Sequence, residues 1–149
     1  MATPSALHTL IDLASKESDE AAKLLGVTLR VSEEAEQKLA LLLQYRDDYA
    51  LRCQSNLADG ISTTHFNNFQ VFMQKLDQAI AGQQKVVCDA KDRTIRARAA
   101  WLVCEQKKMS FVTLAKRADK ETARHELWRD QKQNDEYAAR RALHKPNPS

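Results

Sequence analysis

Proline and glycine are scarce in this chain, and its interior has no proline at all. The 149 residues include three prolines and three glycines, and Pro4, Pro146 and Pro148 each lie within a few residues of one end of the sequence. Proline is the residue that most strongly breaks a helix, because it lacks the backbone N–H and its ring clashes with the preceding turn. The sequence therefore permits long helices almost everywhere.

Aromatic residues and long hydrophobic runs are also few. Aromatic residues make up 6% of the chain and charged residues 29%, a balance that argues against a compact core. No stretch approaches the ~20 apolar residues of a membrane span, and the N-terminal stretch has no basic region followed by an apolar run. We expect a soluble protein that is not secreted through a cleaved signal.

Sequence motifs for catalysis and metal binding are missing. There is no Gly-rich phosphate loop, no GxSxG and no HExxH, and the four histidines are scattered. Cys53, Cys88 and Cys104 show neither CxxC nor Cys/His metal spacing, so we expect reduced structural thiols, as in a cytosolic protein. The expectation is a protein with no metal, no cofactor and no enzymatic activity.

Two long segments instead carry apolar residues at alternating spacings of three and four. In the first, this seam runs from Leu7 to Tyr49; in the second, it runs from Phe69 through Leu76 and Gln83 to Ala118. A heptad pattern kept over this length predicts a coiled coil rather than a globular bundle. Between the segments, Asp59-Gly60 can form a turn, and Ser62, Thr63 or Thr64 can cap the helix that follows.

The predicted fold is all-α: a long antiparallel two-helix coiled coil forming one domain over residues 1–149. The first helix should run from about residue 5 to 57, the turn from about 58 to 63, and the second helix from about 64 to 143, before a frayed C-terminal tail. Residues whose numbers add to about 121 should lie opposite one another. The last ~25 residues of the second helix, from about 119, would then have no partner.

Charge is unevenly distributed although the formal net charge is only +3. Acids outnumber bases from Asp12 to Asp48, and bases prevail from Lys85 to Lys145, which suits two segments lying side by side. The basic stretch RRALHK at 140–145 leaves nucleic-acid binding open as an alternative, although neighbouring acids dilute its charge and no aromatic ladder accompanies it. A generic coiled-coil scaffold is the other alternative.

The stretch NNFQVFMQKLDQAIAGQQ, residues 67–84, has an unusually wide apolar face. One stripe of this face follows the seam through Phe69, Met73 and Ile80. A second stripe, displaced by roughly 60°, contains Phe72, Leu76, Ala79 and Gln83. A two-helix seam needs only a narrow stripe, so the wide face can serve the seam and an external partner at once; the other interpretation is that all these residues are core.

Five landmarks resemble, in order and spacing, the FliJ proteins of the bacterial flagellar type III export apparatus. They are LIDLASKESDEAAKLLG, LLLQYRDDY, DGIS, NNFQVFMQKLDQAIAGQQ and DQKQNDEYAARRALHKP, and together they cover nearly the whole chain. The resemblance implies a two-helix coiled coil similar to the central stalk subunit of rotary ATPases. It also implies a cytoplasmic protein peripherally associated with the inner membrane at the flagellar base.

The resemblance further implies protein partners and no nucleic acid. These partners are the hexameric flagellar export ATPase and its regulator, the cytoplasmic linker of the membrane export gate protein, and the flagellar export chaperones. The gate contact corresponds to Phe72, Leu76, Ala79 and Gln83. The contact with the ATPase ring is expected at Leu7, Ile11, Arg124, Arg129, Gln131, Lys132, Asp135, Glu136, Arg140 and Arg141. The ATP chemistry would belong to the partner.

Overall fold

A computed structural model describes residues 3–144 of the chain. Within them the protein forms two helices and no strand: α1 over Pro4–Asp59, with 56 residues, and α2 over Thr63–Leu143, with 81 residues. The two long helices pack together, so the predicted all-α class is confirmed. Their ends lie within two residues of the predicted bounds. The predicted frayed tail lies beyond the described residues.

The ends of the helices follow from local chemistry. The Thr3 side chain accepts a hydrogen bond from the backbone N–H of Ala6 at 3.3 Å, and Pro4 takes the first helical position, where its missing N–H costs nothing. Gly60 follows α1 with a φ of 85°, a left-handed conformation that favours glycine. Ser62 then caps α2, because its hydroxyl oxygen accepts the N–H of His65 at 3.2 Å.

The residues divide into two packed units, and the larger is Glu17–Cys104. Its two helices run antiparallel in the predicted register, since the rings of Tyr49 and Phe72 stack and these numbers add to 121. Two ion pairs cross between the helices, Arg46–Asp77 at 2.9 Å and Lys91–Glu36 at 3.1 Å. The uneven charge of the sequence suggested acids on α1 facing bases on α2, and only the Lys91–Glu36 pair has this arrangement. Both pairs are half-exposed, so each contributes well under about 1 kcal/mol.

The core of this unit is a narrow seam rich in small side chains. Ala35, Ala90 and Ala97 are buried, together with Leu76, Ile80 and Val87. On α1 the predicted seam positions of this unit are buried or half-buried apart from Arg46, whose guanidinium extends outward to Asp77. The seam also continues past Tyr49 to Cys53, which is buried; the sequence pattern did not include Cys53.

The second unit joins the beginning of α1, up to Lys16, with α2 from Glu105 onward. Leu7 and Ala14 are buried at 6% and 2% exposure, and α2 is half-buried at the seam positions Phe111, Ala115 and Ala118. From residue 119 to residue 144 every side chain is exposed. We call residues 119–143 the exposed end of α2. Neither helix contains a segment apolar enough to cross a membrane within residues 3–144.

Candidate functional site

An aromatic cluster lies near the turn in the Glu17–Cys104 unit. The ring of Tyr49 stacks on Phe72, with centroids 4.4 Å apart, and on Phe69, with centroids 5.3 Å apart. These rings border a cavity of about 490 Å³ that also touches Ile61 and His65. Phe72 remains 43% exposed although it is stacked. The cluster therefore offers a preformed aromatic surface, because Tyr49 restrains the Phe72 ring before any partner binds.

The structure separates the four residues of the predicted gate contact into two pairs. Phe72 and Ala79 are exposed and lie seven residues apart, on one side of α2. Leu76 is only 8% exposed and belongs to the seam. The heptad pattern predicted Leu76 for the seam as well as for the second stripe. Its burial agrees with the seam position and corrects the outer one, whereas the neighbouring Ala79 stays exposed.

Gln83 also points into the unit. Its side-chain amide donates a hydrogen bond to the backbone carbonyl of Ala35 at 2.9 Å. The amide is therefore engaged in the free chain, and the accessible remainder of the predicted contact is Phe72 with Ala79. Together with Tyr49 and Phe69 we call these residues the Phe72 surface. The sequence analysis did not include Tyr49 in this contact, although residues whose numbers add to about 121 were expected to lie opposite one another and 49 and 72 add to 121.

The residues expected to contact the ATPase ring also differ in exposure. Leu7 is buried and Ile11 is half-buried, so both help hold the second unit together in the free chain. Leu7 is also the first position of the predicted seam, and its burial agrees with that position; its contact with the ATPase ring stays a prediction. The other eight are exposed along the exposed end of α2: Arg124, Arg129, Gln131, Lys132, Asp135, Glu136, Arg140 and Arg141.

On the exposed end of α2, Trp128 contacts a neighbouring charged side chain. Its ring is 63% exposed, and the Lys132 ammonium lies 5.3 Å from the ring centroid, within cation–π range. Trp128 also lines a cavity of about 370 Å³ with Glu121, Arg124 and His125. Sequence reasoning noted the sparse apolar residues here without assigning Trp128 to a site. The sequence feature that could have identified it is a large aromatic residue in a segment of α2 that was expected to have no α1 residues opposite it.

Within residues 3–144 no group of three or more His, Cys, Asp or Glu side chains could hold a metal ion. The three cysteines form no disulfide: Cys53 is buried, Cys104 is half-buried and Cys88 is exposed. The site residues described above offer aromatic, apolar and charged surface. Their chemistry suits the binding of other macromolecules.

Two long helices that pack together along a heptad seam define the class of helical coiled-coil proteins. The family model for the flagellar FliJ protein matches residues 4–147. The flagellar FliJ proteins of Salmonella typhi and Escherichia coli K12 are each 34% identical to the chain over 146 residues, covering 98% of the chain and 99% of each relative. The chain belongs to the FliJ family of flagellar export components.

A solved structure supports the fold separately. It is that of a proposed YscO homolog from Chlamydia trachomatis, matched with a TM-score of 0.53 over 97% of this chain and 94% of that one. The sequence identity is 18%, so the match speaks for the fold alone.

Proposed function

We propose that this protein is a non-enzymatic component of the flagellar export apparatus that binds and activates the hexameric export ATPase. The exposed end of α2 carries this proposal. Leu127, Trp128, Tyr137 and Leu143 are between 63% and 83% exposed there. A single helix with sparse apolar residues is only marginally stable in water. Docking inside a ring would bury these side chains against several subunits at once.

The charges on the same segment support this partner. Arg124 and Arg129 precede the acids Asp135 and Glu136, and Arg140 and Arg141 follow them; all are exposed. A mixed charge pattern around a few aromatic anchors is typical of a protein interface, where arginine and tryptophan contribute most of the affinity. Nucleic-acid binding would favour a more uniformly basic surface.

The Phe72 surface is proposed to contact the cytoplasmic linker of the export gate. Phe72 supplies the anchor, and Ala79 leaves space beside it for the linker chain. The proposal extends to emptied export chaperones and to the ATPase regulator as further partners of the same protein. It places the protein in the cytoplasm, peripherally associated with the inner membrane through the gate.

The test is a direct binding comparison with three immobilised baits: the export ATPase, the gate linker and a DNA duplex. We expect binding to the first two, together with an increased rate of ATP hydrolysis by the ATPase when the chain is added. Binding to DNA alone, with neither protein retained, would contradict the proposal. Retention by neither protein nor DNA would favour a generic scaffold.

A further inference from the structure

A groove on one flank of the Glu17–Cys104 unit belongs to neither proposed contact. Its volume is about 240 Å³. It lies between the two helices and is lined by four residues of α1 and two of α2: Leu24, Val27, Thr28, Val31, Ala90 and Arg93. We call it the valine groove.

The α1 wall of the valine groove is an uncovered aliphatic stripe. Leu24, Val27 and Val31 are 57%, 51% and 43% exposed. They follow one another at spacings of three and four, so they share one face of the helix. This face lies beside the seam, which uses Leu25, Thr28 and Ser32. Branched aliphatic residues at heptad spacing are the residues through which a further helix packs onto a coiled coil.

The α2 wall adds the positive charge of Arg93. Arg46 and Lys91 in the same unit each form an ion pair across the helices, with Asp77 and Glu36. Arg93 forms none within the part of the chain that the structure describes, and neither does Arg96 one turn later. A guanidinium at the rim of an apolar groove is suited to bind a carboxylate through two parallel hydrogen bonds.

We propose that the valine groove binds an amphipathic α-helix of a partner protein that carries acidic residues along one edge. Aliphatic side chains of that helix pack on Leu24, Val27 and Val31, and its carboxylates face Arg93 and Arg96. The occupant is a helix because the exposed stripe has heptad spacing and the backbone groups of both walls are already used within α1 and α2. The proposal is independent of the ATPase and gate contacts, since the groove shares no residue with them.

The test uses the full chain and two synthetic peptides of three heptads, each held helical by a hydrocarbon staple on its outer face. Both have leucine at positions a and d. One has glutamate and the other lysine at position g, and the like charges keep each peptide from pairing with itself. Fluorescence anisotropy of the labelled peptides measures the dissociation constants. We expect the glutamate peptide to bind more tightly than the lysine peptide.

Two substitutions with matched controls locate the binding. Val27→Glu should lower the affinity of the glutamate peptide for the chain by at least about tenfold, because it replaces an apolar contact with the peptide by a charge. Val71→Glu, at a valine of 52% exposure on α2, should leave the affinity unchanged. Arg93→Glu should reverse the preference toward the lysine peptide, whereas Arg98→Glu should not. Circular dichroism checks that each variant keeps its helix content.

Three results would overturn the proposal. The first is equal binding of both peptides to the unmodified chain. The second is an unchanged affinity in a folded Val27→Glu variant. The third is a sedimentation mass of two chains that falls to one in Val27→Glu, because the groove would then be covered by a second copy of this protein.

Discussion

The side-chain amide of Gln83 reaches across from α2 and donates a hydrogen bond to the carbonyl of Ala35 on α1, at 2.9 Å. This is a polar contact at a seam position between alanine and aliphatic residues. A single polar residue in such a seam favours one register of the two helices over others, at some cost in stability. In this protein the α1 residue that Gln83 contacts is Ala35, whose small side chain discriminates weakly between registers, and the amide adds a directional constraint.

Gln83→Ala should lower the free energy of unfolding by about 1 kcal/mol, the typical net contribution of such a hydrogen bond. Gln83→Leu should keep or raise the stability, because it fills the seam with apolar surface, while allowing the helices to slip. Urea denaturation followed by circular dichroism measures both. Gln84→Ala is the control at an exposed neighbour. Because alanine has the higher helix propensity, a loss from Gln84→Ala as large as that from Gln83→Ala would show that the cross-helix hydrogen bond does not cause the effect.

Replacing glycine by alanine should have opposite effects on stability at Gly60 and Gly82. Gly60→Ala should destabilise the protein by about 1 kcal/mol, because a φ of 85° strains any residue with a Cβ. Gly82→Ala should stabilise it by ~0.4–1 kcal/mol, since Gly82 lies in α2 and an added Cβ would have nothing within 4 Å. Thermal melts compare the two variants directly. An unchanged or raised melting temperature of Gly60→Ala would show that the turn tolerates alanine.

Leu76→Ala and Phe72→Ala should separate stability from partner binding. Leu76 and Ile80 are buried, so replacing either by alanine should cost ~2–5 kcal/mol, toward the lower end where the thin seam collapses around the gap. Phe72→Ala should cost less stability but weaken binding to the gate linker. Val71→Ala, at similar exposure, is the control. Normal gate binding by a folded Phe72→Ala variant would remove the Phe72 surface from the gate contact.

Trp128→Ala should leave the melting temperature unchanged, because the tryptophan is 63% exposed and contributes nothing to the core. It should weaken binding to the export ATPase by at least about tenfold, as expected for an interface tryptophan. Trp128→Phe should restore part of the affinity through its ring. The binding constant is measured by biolayer interferometry with the full chain. Equal affinity of all three proteins would place the ring contact elsewhere.

A chain ending at residue 118 tests the exposed end of α2 as a whole. Since no residue from 119 to 144 is buried, this truncation should keep most of the thermal stability and the binding to the gate linker. It should lose the stimulation of the export ATPase. Circular dichroism, linker binding and ATP hydrolysis are measured on the same preparation. Normal stimulation by the folded truncated chain would mean that the ATPase contact lies at the other end of α2.

The sequence by itself determined the helices, their ends and their pairing in the Glu17–Cys104 unit. Heptad spacing, Thr3 with Pro4, and Gly60 with Ser62 are local signals, because they depend on helix periodicity and on side chains that bond to nearby backbone. The antiparallel register followed from the position of one short turn. Because α2 is longer than α1, the position of this turn also located the segment from residue 119 onward, which has no part of α1 opposite it.

Only the tertiary structure decided which apolar residues of a wide face lie inside. Leu76 and Ala79 are both compatible with an outer stripe by sequence, but packing buries the first and leaves the second exposed. The same holds for the Tyr49–Phe72 stack and for the groove beside Val27. These features depend on how far each helix is rotated about its own axis toward its partner, and helical spacing alone does not decide between stripes displaced by roughly 60°.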